Sequence, residues 1–373
     1  MPLKCLRGAD EIYAFDMESN GAWEAFRKEN AKSGDLRMPC CGAAVVLRTS
    51  PLGTRHFAHK RTGPCETAPE SKEHLLAKRL VIDGMRRTNW DAKPEQDGAT
   101  PTGERWKADV LATRGKARVA FEIQWSRQDG AETKRRQERY VASDIRGLWL
   151  FRQLDFPFAD KDCPAFRMVF DEKMNGVSVW IPSPLWHPDY AKPEERDADR
   201  HWSQRIELSR FAEGAVSGRL RFAPTLGATL PLDVMVVKTV CRRCGKETRI
   251  VVKMVLAASR IFPTHPDIHV SLPSMDRIPG GPSIVAGWLP KGLLRRYGVG
   301  EVKVRRSGLE VEKRASYLSN GCVSCGAMQA RWFEGKIDDD PEVALTVDVV
   351  FDESWVLHMP GTRNWRRWWF DES

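Results

Sequence analysis

No hydrophobic run in this 373-residue chain is long enough to cross a bilayer, and the opening MPLKCLRGADE has no apolar signal-peptide core. Those two absences set aside spanning and exported classes, and the expected location is the cytoplasm. Repeats at a period of roughly 20–50 residues are also missing, as is any low-complexity tract, so a repeat architecture is not expected. Acidic residues are the scarcer charge. Fifty Asp and Glu stand against 59 Lys and Arg, giving a net charge of +9 and a pI near 9.1. That excess favours polyanionic partners, although a diffuse positive excess also occurs on ordinary surfaces. Here the bases cluster, with Lys134, Arg135, Arg136 and Arg139 in one segment and Arg363, Arg366 and Arg367 in another.

With 42% hydrophobic and 29% charged residues the chain has the balance of a folded globular protein. Its length exceeds one ordinary core. Three segments are expected: a Cys/His module over 1–66, an α/β core over 67–165 and a C-terminal domain over 166–373.

Within the core, ESKEHLLAKRLVIDGM (70–85) has helical spacing, with Leu76, Leu80 and Gly84 on one face and Ala77, Val81 and Met85 beside it. Thr67-Ala-Pro-Glu70 has the form of a capping box. A Pro/Gly/Asp-rich loop is expected over 92–103. Next comes a hairpin, RWKADVLATRGKARVAFEIQWS (105–126), with its turn at 113–116. A basic helix is expected over 131–142, followed by a strand at 147–151. The crossover through that helix makes parallel pairing of the last strand with the hairpin the natural arrangement.

The hairpin carries the first chemical signal. Alternation places Val119, Phe121, Ile123 and Trp125 on one face and Glu122 and Gln124 on the other. Asp109, in the first arm, would meet Glu122 if the two share a face. Converging carboxylates repel unless a cation lies between them, and Mg²⁺ or Mn²⁺ bound by such acids polarises a phosphodiester and supplies an attacking hydroxide. The plain reading is a solvated face on which the two acids answer Arg118 or Lys107. Arg136 and Tyr140 lie one turn apart on the basic helix, suited to a phosphate and to a ligand acid, or else to a solvated basic face over a core tyrosine.

Nine cysteines supply the second signal. Cys241-Arg-Arg-Cys244-Gly and Cys322-Val-Ser-Cys325-Gly are two knuckles that together offer four thiolates to a structural Zn²⁺, as zinc ribbons do, with 250–320 as an insertion. Cys40, Cys41 and Cys65 lie near His56 and His59, and Cys40, Cys41, Cys65 with His59 form a second expected zinc set. Reduced thiols and a small apolar hairpin are the plain alternatives. Cys5 and Cys163 stand apart and are expected to be packed, inert thiols. The terminal TRNWRRWWFDES alternates Arg with Trp, suited to base stacking or to a cluster that caps a small sheet.

Several of these elements together resemble the CoiA-like competence family. They are His56-Phe57-Ala58-His59, Glu70-Ser71-x-x-His74-x-x-x-Lys78, Arg105-x-x-Ala108-Asp109-Val110, Glu122-Ile123-Gln124-x-Ser126, Arg136-x-x-x-Tyr140 and Trp149. The resemblance covers roughly 35–155. It implies a PD-(D/E)XK nuclease-like mixed sheet flanked by helices, with an N-terminal zinc module and a C-terminal α+β domain containing the zinc ribbon. It also implies that Asp109 and Glu122 ligate Mg²⁺ or Mn²⁺, and that Glu70 completes the site with Glu73 as its substitute. Gln124 would occupy the place of the catalytic lysine, and His74, Lys78, Arg136 and Tyr140 would face nucleic acid. Relatives read C-P-x-C-G where this chain has Met38-Pro39-Cys40-Cys41-Gly42, so Met38 stands at the first ligand position.

The expected activity is metal-dependent DNA hydrolysis in DNA uptake and recombination or in defence against foreign DNA, with DNA and proteins of those processes as partners. Two other classes fit the residues: a DNA-binding recombination accessory without turnover, kept open by the neutral Gln124, and a zinc-ribbon adaptor for a protein partner.

Overall fold

The computed structural model describes residues 2–17, 19–61, 65, 70–153, 161–183, 199–305, 317–329, 340–358 and 365–373. The chain divides into two compact units, Met1–Phe222 with Arg367–Ser373, and Ala223–Arg366. Among the described residues no helix is long and apolar enough to cross a membrane.

The larger unit is built on a seven-stranded mixed sheet. In spatial order its strands are Trp202–Glu207, Gly176–Pro182, Ala165–Asp171, Arg146–Phe151, Ala117–Gln124, Arg105–Arg114 and Asp91–Ala99. Arg146–Phe151 runs parallel to both of its neighbours, and the other pairings are antiparallel. The basic helix, Gly130–Ala142, makes the crossover expected of a parallel join. Alternation sends Val110, Phe121 and Ile123 to one side, where they meet Leu75, Val81 and Ile82 of the helix Lys72–Arg86. On the other side Ala120, Trp149 and Phe151 meet Tyr140.

Two expectations differ from this architecture. The stretch 92–103, read as a loop, contributes the edge strand Asp91–Ala99. Pro94 lacks a donor, and an edge strand tolerates that because one side of its ladder has no partner. Register is unbroken from Pro94↔Val110 to Gln96↔Ala108, and Glu95, at a φ of 54°, is the one residue of the strand between them with no partner in the ladder. The compact units also fall elsewhere than at residue 165. Three strands of the main sheet lie beyond it, and Arg367–Phe370 pairs with Leu220–Ala223. Phe370 is fully buried in the main core with Phe166 and Phe211. The stretch 182–200, whose Pro, Asp and Glu content reads as a connector, lies outside the described residues over 184–198.

A smaller core near the N-terminus gathers Cys5, Trp23, Leu36, Met38, Val45, Leu47 and Phe57. Burial pushes the Cys5 thiol up to about 12, which fits the inert role expected of it. Cys163 is likewise buried, beside Trp149 and Phe151.

The second unit carries an antiparallel sheet in the order Ile268–Val270, Glu247–Leu256, Thr229–Val240, Glu342–Val350. Two of these strands, Thr229–Val240 and Glu247–Leu256, flank the first CxxC. Trp355 and Trp365 are buried in this unit's core, and Trp369 is nearly buried in the other, so these three rings are not open to bases.

Candidate functional site

The helix Lys72–Arg86 starts at Ser71, whose hydroxyl accepts the His74 N–H at 3.1 Å. Glu70 therefore precedes the cap and does not hold the third helical position expected of a capping box. Thr67 lies outside the described residues. With its carboxylate free of the helix start, Glu70 turns to Lys78, whose Nζ is 2.5 Å from Glu70 Oε1, 3.0 Å from Glu95 Oε1 and 3.8 Å from Asp109 Oδ1. Lys78 is fully buried. Its ammonium is enclosed by acids and is not open to a phosphate, which corrects the expected contact with nucleic acid. Burial disfavours that charge, but Glu95, Asp109 and Glu70 outweigh it and hold the pKa above its usual value.

Glu95 is the residue that sequence reasoning missed. It sits in the edge strand at the left-handed residue opposite Asp109, and its Oε1 accepts the Leu3 N–H at 3.0 Å as well as the Lys78 ammonium. The signal available was an acid in a segment whose Pro and Gly content pointed to a loop.

Asp109 Oδ2 accepts the Ile123 N–H at 2.8 Å, while Oδ1 lies 3.4 Å from His74 Nε2. Burial raises this carboxyl's pKa, but the His74 imidazole, the Lys78 charge and the Ile123 N–H together hold it well below the usual carboxylate range. Ligand atoms of Glu70, His74 and Asp109 all lie within 4.8 Å of one another. Glu70 Oε2 and His74 Nε2 are buried with no hydrogen-bond partner among the described residues. Orphaned buried acceptors of this kind carry a desolvation cost that a bound cation would remove. The donor set thus fits a divalent metal. Glu73 is not part of it and pairs with Lys72 at 3.7 Å.

Glu122 lies one step beyond the last paired residues of the hairpin, Val110↔Phe121, on the strand that faces Asp109. Its carboxylate is fully buried and is taken by the Arg136 guanidinium and the Tyr140 hydroxyl. Burial and the nearby Asp109 charge push Glu122 up to about 8, against the pull of Arg136 and Tyr140. The Tyr140 hydroxyl also lies 3.1 Å from Lys107 O, so its one hydrogen faces two acceptors. Arg136 stacks over Trp149 at 5.0 Å and bonds Gln128 at 3.0 Å, and Gln124 Nε2 is 3.4 Å from Glu122 Oε2. The structure therefore brings Glu70, His74, Lys78 and Asp109 together, and groups Glu122, Gln124, Arg136 and Tyr140 beside them.

Two cysteine clusters could hold zinc. Sulfurs about 2.3 Å from one Zn²⁺ stand about 3.8 Å apart at tetrahedral angles. Cys241 and Cys325 are 3.7 Å apart, Cys244 and Cys322 are 3.8 Å apart, and all four lie within 4.8 Å. Backbone N–H groups, led by that of Cys244, lower the Cys241 thiol to about 6, and Gln329 Nε2 donates to its sulfur at 3.4 Å. The second cluster joins Cys40, Cys41, Cys65 and His59, with Cys41 Sγ 3.1 Å from His59 Nε2 and Cys40 Sγ 3.7 Å from Cys41 Sγ. His56, the other candidate, is buried and turned toward Thr54 O.

One turn recurs three times. Met38, Cys241 and Cys322 each donate their N–H to the carbonyl five residues on and accept from the glycine four residues on, at 2.8–2.9 Å. Gly42, Gly245 and Gly326 take φ values of 67–69°, which suit glycine. The first knuckle thus keeps its backbone although Met38 fills the first ligand position and points into the core.

A mixed sheet with helices on both faces, carrying acids, a histidine and a buried lysine at one end of its central hairpin, is the frame of a nuclease-like α/β domain. Residues 70–161 match the family model described as competence protein CoiA, nuclease-like domain. It is this segment, and not the chain as a whole, that is similar to the CoiA nuclease-like domain. No curated protein and no solved structure matches the chain.

Proposed function

We propose that the protein is a cytoplasmic, metal-dependent deoxyribonuclease of PD-(D/E)XK type that acts on DNA during uptake and recombination or in defence. The observation that supports this most is the convergence of Glu70, His74 and Asp109 on one point within the CoiA nuclease-like segment. A divalent cation held there would polarise a phosphodiester and lower the pKa of the attacking water. The residues do the rest. Lys78 and the Ile123 N–H each fix one oxygen of a carboxylate, which orients the other oxygen toward the site. Arg136 and Tyr140 hold Glu122 in place, and Gln124 extends a neutral amide on the same strand.

Cleavage of single- and double-stranded DNA in Mn²⁺ and in Mg²⁺ tests the reading. Asp109→Ala and Glu70→Gln are each expected to lower the rate by about 10²–10³-fold. Cleavage that survives both changes would overturn it. The accessory reading keeps one specific support: the ammonium beside Glu70 and Asp109, that of Lys78, is enclosed, so Lys78 does not replace the lysine that Gln124 displaces. DNA binding without metal-dependent cleavage is its signature.

A further inference from the structure

We infer that His74, and not Glu122, completes the metal site with Glu70 and Asp109, and that the site therefore selects a first-row transition ion over Mg²⁺. The inference rests on the proposed metal dependence and sharpens it to a ligand set and a metal class.

The argument begins with what each acid still has to offer. Glu70 gives Oε1 to Lys78 and leaves Oε2 buried without a partner. Asp109 gives Oδ2 to the Ile123 N–H and leaves Oδ1 beside His74 Nε2. His74 Nε2 is itself buried without a hydrogen-bond partner among the described residues. Each of the three side chains thus offers a ligand atom within 4.8 Å of the others, and His74 Nε2 and Asp109 Oδ1 already lie 3.4 Å apart. Each carboxylate has one oxygen engaged elsewhere, which prepares it for monodentate binding. Glu122 is in the opposite position, since Arg136 and Tyr140 occupy its two oxygens.

Charge agrees with this division. Glu70, Glu95 and Asp109 bring three negative charges around Lys78, whose ammonium cancels one. Two remain beside the His74 imidazole, which is the charge that one divalent cation balances. Glu122 is answered separately by Arg136 and adds nothing to that balance.

The imidazole decides the metal class. Mg²⁺ favours oxygen ligands and retains its water, whereas nitrogen ligands gain strength along the transition series. Ser71 fixes the start of the helix that carries His74, so the imidazole is placed by a capped first turn.

Mn²⁺ binding to the full-length protein with its thiolate sites zinc-loaded, followed by loss of the free-ion electron paramagnetic resonance signal, tests this without DNA. Mn²⁺ should bind about tenfold or more tightly than Mg²⁺ competes for it. His74→Ala should weaken Mn²⁺ by about tenfold or more and remove the preference, while Glu122→Gln should leave binding within about twofold. Unchanged zinc content and thermal melting establish that each variant is folded. Mn²⁺ affinity retained in His74→Ala, lost in Glu122→Gln, or matched by Mg²⁺ would each overturn the inference. A protein that binds Mn²⁺ through His74 yet leaves DNA intact upholds the site and fails the nuclease reading instead.

Discussion

At the scale of single residues, Lys78 is the most consequential side chain in the larger unit. It is a fully buried ammonium whose three acids depend on it for compensation. Lys78→Met keeps the length of the side chain but leaves those carboxylates uncompensated. The expected loss is about 3–5 kcal/mol, read from the urea midpoint. The pH dependence follows from Asp109. Its folded pKa is depressed, so its contribution is fully present above the unfolded value of about 4 and fades as pH falls below it. Stability of the wild type should therefore decline on acidification below about 4, and Asp109→Asn should flatten that part of the profile. Acid unfolding followed by circular dichroism measures both. The hairpin acids were legible because strand alternation singles out Asp109 and Glu122 among apolar neighbours. Their partners were less so. A helix pattern places His74 and Lys78 on one stripe but does not reveal that the stripe turns inward, because burial of a lysine depends on acids contributed by strands elsewhere in the chain.

At the scale of elements, the two helices followed from periodicity, since each buries one face against the sheet, whereas the hairpin and the strand Arg146–Phe151, buried on both faces, followed from their apolar runs. The edge strand did not, because Pro94 and Gly98 are loop residues by composition and only pairing with Arg105–Arg114 makes the segment a strand. The packing of the long helix also had a hidden requirement. A Cβ at Gly84 would sit 2.2 Å from the Ser209 carbonyl oxygen, on the short helix Leu208–Val216 that crosses it. Gly84 therefore permits the close approach of two helix backbones. Gly84→Ala should cost about 1–3 kcal/mol despite alanine's better helix propensity, because neither backbone can give way cheaply. Equilibrium denaturation decides the sign, and a stabilised variant would refute the tight crossing.

At the scale of the whole molecule, each cysteine cluster serves one unit. Cys40, Cys41, His59 and Cys65 belong to the first and the four CxxC cysteines to the second. Two zinc equivalents per chain are expected. Cys322→Ser should reduce them to about one and lower the melting of the second unit selectively, since a closed thiolate site contributes directly to folding. Zinc analysis with scanning calorimetry reads both effects, and an unchanged zinc content would exclude the four-cysteine site. The knuckle spacings were plain in the sequence. The return of the chain to the larger unit was not, because nothing local in RWWF distinguishes a strand of one body from a strand of the other.

That return sets a timetable. The strand Arg367–Phe370 buries Phe370 in the core that supports the Glu70–His74–Asp109 helix and hairpin, yet it is made after the whole of the second unit. During synthesis the first unit emerges early and waits with a gap in its core, while the intervening unit can close on its own residues. The proposed cutting site is thus the part of the molecule whose scaffold is finished last. A chain not yet extended through Arg367–Phe370 would carry its acids on an incomplete core, and the proposed DNA-directed activity would await that strand.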